Sequence, residues 1–202
     1  MIKNVVFDIG NVLAQFGWEP FFAKFGISPE ELERVAKATV YSPLWDEIDR
    51  GVLSEDEILE GFIKNDPEME DWMRKIYADF SGLLRQYEYA KDWILDLQSR
   101  GYRVFCLSNM SHKAKRECPD SMDFLPMLDG YVLSCDVNLI KPEKEIFDVL
   151  FERYALIPSE CVFIDDLQRN INAAKKIGME GIVFEGYEQA KTKLDELLRD
   201  RG

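Results

Sequence analysis

The chain reads as an α/β protein: a parallel sheet covered by helices, with an all-helical unit inserted after the first strand. Three observations carry this. From residue 86 onward, short and almost wholly apolar runs alternate with helical patterns, as a parallel sheet buried on both faces requires. The first apolar run, residues 3–7, is separated from the rest by a stretch, 18–80, rich in helix signals and without a convincing strand. Several of the runs end in polar clusters, at the strand tips where open α/β sheets hold their ligands.

The elements follow in order. Residues 3–7 form the first strand and deliver Asp8 into the turn Gly10-Asn11. Helices are expected at 18–25, 29–40, 54–64 and 67–80. Ser28-Pro29-Glu30-Glu31 supplies an N-cap, a proline at the first helical position and early acids. Ser54-Glu55-Asp56-Glu57 fits a capping box, and Asp66-Pro67-Glu68 opens the next helix by the same logic. These make a small bundle of about four helices, whose core takes up the aromatics Phe16, Trp18, Phe21, Phe22, Phe25, Trp45 and Trp72. Residues 86–99 form a helix with Tyr89, Trp93, Ile94 and Leu97 on one face, stopped near Gly101. A strand at 102–107 ends at Ser108-Asn109, and another spans 130–134. A helix at 143–153 follows Lys141-Pro142, and a strand at 161–164 ends at Asp165-Asp166. A helix at 168–177 closes at Gly178, and a strand at 181–184 and a helix at 187–200 complete the chain. Right-handed crossovers join the parallel strands. The core therefore comprises residues 1–14 and 86–202 and the insert 15–85, with hinges at 14–17 and 81–86, where Gly17 and Ser81-Gly82 permit bending.

Composition narrows the function. At 202 residues with 47% hydrophobic content, the chain buries a full core and a small second module. A net charge of -13, from 38 acidic and 25 basic residues, argues against a nucleic-acid-binding face and against docking on anionic membranes. Solubility is the ordinary reading of that charge. Cys106, Cys118, Cys135 and Cys161 form no Cys-x-x-Cys pair and read as small buried hydrophobes, so neither a disulfide framework nor zinc is signalled. Met1-Ile2-Lys3 leads directly into the first strand and no apolar run reaches membrane-spanning length, so cytoplasm is the expected location.

Four clusters carry chemistry. Asp8 is a candidate nucleophile, since a carboxylate can attack phosphorus; alone, it reads equally as a turn cap. Adjacent carboxylates at Asp165-Asp166 repel one another, and a hard divalent cation such as Mg²⁺ relieves that repulsion. One aspartate would suffice to cap the helix behind them. Asn170, a helical turn on, is placed to orient a metal-bound group. Ser108-Asn109 offers a hydroxyl and backbone N–H groups as a neutral phosphate cradle, or simply turn chemistry. Lys141, held extended by Pro142, can aim its ammonium across a site. His112 is the single histidine and has no partners at catalytic or metal-binding spacing.

Asp8 in Phe-Asp-x-x-x-Val, then Ser108-Asn109, Lys141-Pro142 and Asp165-Asp166, resemble in order the motifs of the haloacid dehalogenase-like hydrolase superfamily across the whole chain. The resemblance implies a Rossmann-like core with a mobile helical cap. It implies that Asp8 attacks phosphate and ligates Mg²⁺, and that Ser108 and Asn109 bind the phosphoryl group. Lys141 would stabilise the charge on both. Asp165, Asp166 and the backbone carbonyl of Gly10 would complete the metal site. The expected partner is a small phosphorylated substrate bound by a monomer or weak homodimer.

Gly10 departs from the pattern, because phosphatases of this superfamily usually carry an acid–base aspartate there. Three responses are open. The substrate's leaving group could need little protonation, as in an anomeric sugar phosphate. Phe-Asp-x-Gly-Asn-Val and Asp49-Arg50-Gly51 ahead of Ser54 are indeed similar to a subgroup that includes α-glucose-1-phosphate phosphatases. The chain could instead be a metal-independent 2-haloacid dehalogenase, although those relatives show Ser-x-Asn-x-x-Asp where this chain has Asp165-Asp166. Or it could be a non-catalytic binding protein on the same scaffold, although retention of Asp8, Ser108, Lys141 and both aspartates counts against that.

Overall fold

A computed structural model describes residues 1–199; the terminal residue of the helix expected at 187–200 lies outside them. In chain order, β1 (Asn4–Phe7) and β2 (Ala14–Phe16) precede five helices. These are α1 (Trp18–Ala23), α2 (Pro29–Ala38), α3 (Leu44–Arg50), α4 (Glu55–Asn65) and α5 (Glu70–Tyr77). Next come β3 (Leu84–Gln86), α6 (Ala90–Ser99), β4 (Arg103–Ser108), α7 (His112–Glu117) and β5 (Gly130–Leu133). The chain continues through α8 (Lys144–Tyr154), β6 (Cys161–Asp165), α9 (Gln168–Lys176), β7 (Glu180–Val183) and α10 (Tyr187–Arg199).

The core sheet has the order β5-β4-β1-β6-β7 and is parallel throughout. Its apolar strands feed two cores by simple alternation. Val5, Phe7, Val104, Cys106, Val162 and Ile164 face one side, where α6 adds Trp93, Ile94 and Leu97 and α10 adds Leu194. Val6, Phe105, Leu107 and Phe163 face the other, against Ile146, Phe147 and Leu150 of α8 and Ile171 of α9. Each fully buried large side chain contributes about 1.5–3 kcal/mol, and the period of two makes any one-residue slip expose a whole face. β1 is central: Phe7 stands level with Cys106 on β4 and with Ile164 on β6. That register puts Asp8, just past the tip of β1, beside Asp165, the last residue of β6, with Ser108 at the end of β4.

The insert's buried residues, Phe21, Phe22, Phe62, Met73, Ile76 and Phe80, are continuous with the first of these cores, and Trp45 stacks on Phe62 and Phe80. The capping box expected at Ser54–Glu57 is formed, and the N-cap expected at Ser28 is also a full capping box with Glu31, each adding about 1 kcal/mol. Three local readings are corrected. The insert has five helices, because α3 forms between Pro43 and Gly51; Gly51 takes the left-handed conformation at φ 72° that ends it. Residues 86–89 are a strand end and a turn, and helix α6 starts only at Ala90. Finally, β2 and β3 pair antiparallel, Ala14 with Gln86 and Phe16 with Leu84, and clasp the base of the insert across both expected boundaries.

Candidate active site

The tips of β1 and β6 converge on one ammonium group. Lys141 is 1% exposed, and its Nζ lies 2.8 Å from Asp8 Oδ1 and 2.7 Å from Asp165 Oδ2. A lysine is buried this deeply only when paired. The Asn109 side chain fixes it: its Nδ2 donates to the Lys141 carbonyl at 3.1 Å and its Oδ1 accepts from the Lys141 N–H at 2.8 Å. The Asn109 amide, expected at the phosphate, is thus engaged in aiming the lysine.

Asp165 is fully buried and accepts from Lys141, from the Leu167 N–H at 2.8 Å, and from Asn170 Nδ2 at 3.0 Å to each oxygen. It anchors the site from behind, while Asp166, half-buried, faces the cavity and accepts from Asn11 Nδ2 at 2.9 Å. Asn11 sits at φ 56°, a left-handed position that asparagine tolerates. Ser108 is also buried, within hydrogen-bonding reach of the Asp8 carboxyl.

Charge is out of balance here. Lys141 answers one carboxylate, and three are gathered: oxygens of Asp8, Asp165 and Asp166 lie within 4.8 Å of one another. Burial pushes Asp8 above the usual carboxylate range; Lys141 pulls it back and Asp165 pushes it up again. Burial likewise raises Asp166, against the hydrogen bond from Asn11. Burial alone would lower Lys141; attraction from Asp165 and Asp8 outweighs it, raises the ammonium, and keeps it charged. The buried Oδ1 of Asn170 has no hydrogen-bond partner, and such an acceptor ordinarily meets a cation or a water. A divalent cation fits the donor set on both counts.

The insert roofs this floor, leaving a cavity of about 700 Å³. Asp8, Gly10, Lys141 and Asp166 form the floor, and Phe16, Tyr41, Trp45, Asp46 and Asp49 descend from the insert. The insert is latched to the core beside the cavity. Arg50 donates to both oxygens of Glu143, at 3.0 and 2.7 Å, and Asn138 donates to the Arg50 carbonyl at 3.0 Å.

Burial raises the Asp49 carboxyl to about 8, with further upward pushes from Asp46 and Asp8. The sequence marks Asp49-Arg50-Gly51 only by its similarity to a subgroup; neither a place for Asp49 in the cavity nor the Arg50 latch is expected from it. The signals existed in Pro43, the early acids Asp46-Glu47 and the Arg50-Gly51 ending, but seven residues are too few for a periodic pattern. His112 heads α7 outside the cavity lining and packs on Gly51. Folding does bring it two neighbours that spacing did not show, Cys135 and Asp136, with potential ligand atoms within 4.8 Å. Asp136, however, is taken by Lys115 at 2.7 and 2.8 Å, and burial pushes the Cys135 thiol up to about 12.

Among known proteins, the chain is 29% identical over 213 residues to D-ribitol-5-phosphate phosphatase of Bacteroides thetaiotaomicron, covering 98% of this chain and 99% of that one. It is 26% identical over 213 residues to acyl-CoA dehydrogenase family member 10 of Mus musculus, of whose length it spans only 19%. Of solved structures, a HAD-like family hydrolase from Porphyromonas gingivalis superposes with a TM-score of 0.72 at 24% identity over 98% of both chains. A HAD family enzyme of B. thetaiotaomicron, solved with magnesium and inorganic phosphate, superposes with a TM-score of 0.65 at 22% identity over 91% of this chain and 94% of that one. At such identities the superpositions establish the fold. The model of the haloacid dehalogenase-like hydrolases matches residues 2–178, a span that holds every strand tip of the site. The chain belongs to the haloacid dehalogenase-like hydrolase family.

Proposed function

We propose that the protein is a Mg²⁺-dependent phosphomonoester hydrolase that acts on a small phosphorylated metabolite through an aspartyl phosphate at Asp8. The observation that carries this reading is Asp8 paired with Lys141 at the floor of a roofed cavity, with Asp166 beside them and Asp165 bracing the ammonium from behind. A carboxylate nucleophile held against a fixed ammonium, with space for a tetrahedral anion above it, suits phosphoryl transfer, where positioning and charge neutralisation supply most of the acceleration.

Asp8, Asp166 and the Gly10 carbonyl would hold the cation, with Asp165 supporting them. When bound, Mg²⁺ neutralises the surplus carboxylate charge and orients a phosphate oxygen. The chain's own groups do the rest. An Asp8 oxygen bonds to phosphorus while the ester oxygen departs with its electron pair. Lys141 balances charge on the nucleophile and the transferred group, and Ser108 supports the Asp8 carboxyl. The cap excludes bulk water until hydrolysis of the intermediate.

The family favours this reading, and so does the relative that is a D-ribitol-5-phosphate phosphatase. The roof chemistry suits a polyol or sugar phosphate: Asp46 and Asp49 can accept from hydroxyls, and Trp45 and Tyr41 add aromatic surface to the lining for C–H groups. An anomeric phosphate remains the preferred member of that class, because its leaving group needs the least help at Gly10. Dehalogenation of a carbon centre gives no work to Asp166 at the cavity floor.

The test is phosphate release from a panel of sugar, polyol and aryl phosphates, with Mg²⁺ and with chelator, beside Asp8→Asn. Release that needs Mg²⁺ and vanishes in the variant supports the reading. Release by the variant at the wild-type rate, or none by the wild type from any substrate, overturns it.

A further inference from the structure

The core lacks the carboxyl group that would protonate the leaving oxygen, and the space for it is open. A Cβ built on Gly10 meets no heavy atom within 4 Å. We infer that Asp49, brought down by the cap, is the general acid and base for the reaction. This rests on the phosphomonoesterase reading above.

Asp49 lines the same cavity as Asp8, Gly10 and Lys141. Its carboxyl has no hydrogen-bond or ion-pair partner among the described residues, so it is free to serve a ligand. Its backbone, by contrast, is held firmly. The Asp49 carbonyl accepts from Ser134 Oγ, the next carbonyl accepts from Asn138, and Arg50 grips Glu143, two residues beyond Lys141. The latch therefore joins the carboxyl on the cap to the loop that carries the catalytic ammonium, and cap closure assembles the acid with the nucleophile. Asp49 is part-buried in the cavity wall, and loss of hydration pushes its carboxyl up to about 8, with Asp46 and Asp8 adding to the rise, Lys141 opposing it, and Cys135 as a further titratable neighbour. A carboxyl able to hold a proton in the same cavity as a nucleophile whose negative charge Lys141 stabilises is the division of roles that acid–base chemistry needs.

The step balances. As an Asp8 oxygen bonds to phosphorus, the P–O ester bond breaks with its electron pair on the leaving oxygen. That oxygen takes the proton of Asp49 and departs as the alcohol. Asp49, now a carboxylate, accepts a proton from the water that attacks phosphorus. The P–O bond to Asp8 then breaks with its pair on the Asp8 carboxylate, and both residues return to their starting forms.

The experiment measures kcat/KM with Mg²⁺ for phosphate esters running from alkyl to 4-nitrophenyl, in the wild type, Asp49→Asn, Asp49→Glu and the double variant Gly10→Asp/Asp49→Asn. Circular dichroism and melting temperature confirm folding. Loss of a general acid costs about 100-fold or more on alkyl esters, whose leaving groups need the proton, and about 5-fold or less on 4-nitrophenyl phosphate. The expected result is thus a steep dependence on leaving-group pKa in Asp49→Asn and a shallow one in the wild type and Asp49→Glu. Adding Gly10→Asp to Asp49→Asn should restore alkyl-ester turnover by about 10-fold or more. The alkaline limb of the pH–rate profile should also disappear in Asp49→Asn. Equal losses across the series, or none, overturn the role of Asp49 and leave the hydrolase reading intact. Absence of wild-type release from every ester overturns both. If Asp49→Asn does not fold, Asp49→Glu and Gly10→Asp carry the comparison, and a steep slope in Asp49→Glu with no rate gain in Gly10→Asp overturns the role.

Discussion

Replacing Lys141 with methionine keeps the length of the side chain and removes its charge. Two buried carboxylates then face each other with no ammonium between them. At 2.7 and 2.8 Å, each ion pair attracts by about 6 kcal/mol at an effective dielectric of 20. Burying the ammonium opposes this by several kcal/mol, and removing one partner of such a cluster costs about 3–5 kcal/mol net. Domains of this kind are stable by roughly 5–15 kcal/mol, so Lys141→Met folds but with much of its margin gone. In urea the midpoint should fall by about 1–2 M, taking a slope near 3 kcal/mol per M.

The deficit also has a pH signature. Lys141 holds Asp8 down against burial; without it Asp8 is raised further above its unfolded value, so the folded variant keeps a proton to higher pH than the wild type does. Stability from that proton is present at low pH and lost as pH rises through the folded pKa. The deficit against wild type should be smallest near pH 5 and largest near pH 8. Adding Asp165→Asn to Lys141→Met should recover part of it, giving a coupling energy of about 2 kcal/mol in a double-mutant cycle. A single variant within about 0.5 kcal/mol of wild type at pH 8, with the same pH profile, would refute the charged triad.

Other consequences follow from the same geometry. Asp49, raised to about 8 from 3.8 by burial, weakens the fold as pH climbs through that window. Asp49→Asn should therefore gain on wild type between pH 5 and pH 8.5, on the order of 2 kcal/mol after allowing for screening by cavity water; parallel urea profiles would contradict the burial. Asn170→Ala removes both bonds to Asp165 and the unpartnered acceptor beside it. Its Mg²⁺ affinity by calorimetry should drop about 10–100-fold, and unchanged binding would place Asn170 outside the cation's surroundings. Glu143→Gln weakens the Arg50 latch, so KM should rise more than kcat falls, and faster proteolysis in the insert should accompany it. Identical kinetics and proteolysis would show that the latch does not hold the cap.

The parallel core was legible because its strands are buried on both faces and therefore continuously apolar, and because the polar residues at their tips stand out against them. Phe7-Asp8, Leu107-Ser108 and Ile164-Asp165 are abrupt changes that a sequence shows directly. Helices α2 and α4 were legible through the chemistry of their caps. What stayed hidden depends on contacts distant in sequence. β2 and β3 have three residues each and exist only because they pair across the insert. The bonds of Asn109 to Lys141 and of Asn11 to Asp166 cross 32 and 155 residues, so a reading of turns could see their polarity but not their partners. The separate duties of Asp165 and Asp166 follow from burial, with one carboxyl inside the wall and the other on it. Asp49 stands in a short motif that the sequence shows, but α3 is too short to read, and the residue's place in the cavity emerges only where the cap meets the core.

Chemical trapping at Asp8 decides whether this carboxylate is the nucleophile. Protein turning over its best phosphate ester with Mg²⁺ is quenched in acid, reduced with borohydride and digested, and the peptide containing Asp8 is read by mass spectrometry. An aspartyl phosphate at Asp8 would be reduced to homoserine at that position, in amounts that rise in Asp49→Asn if the loss of its base slows hydrolysis of the intermediate. Turnover with Asp8 unmodified, or with the reduced residue at another carboxylate, would contradict the account.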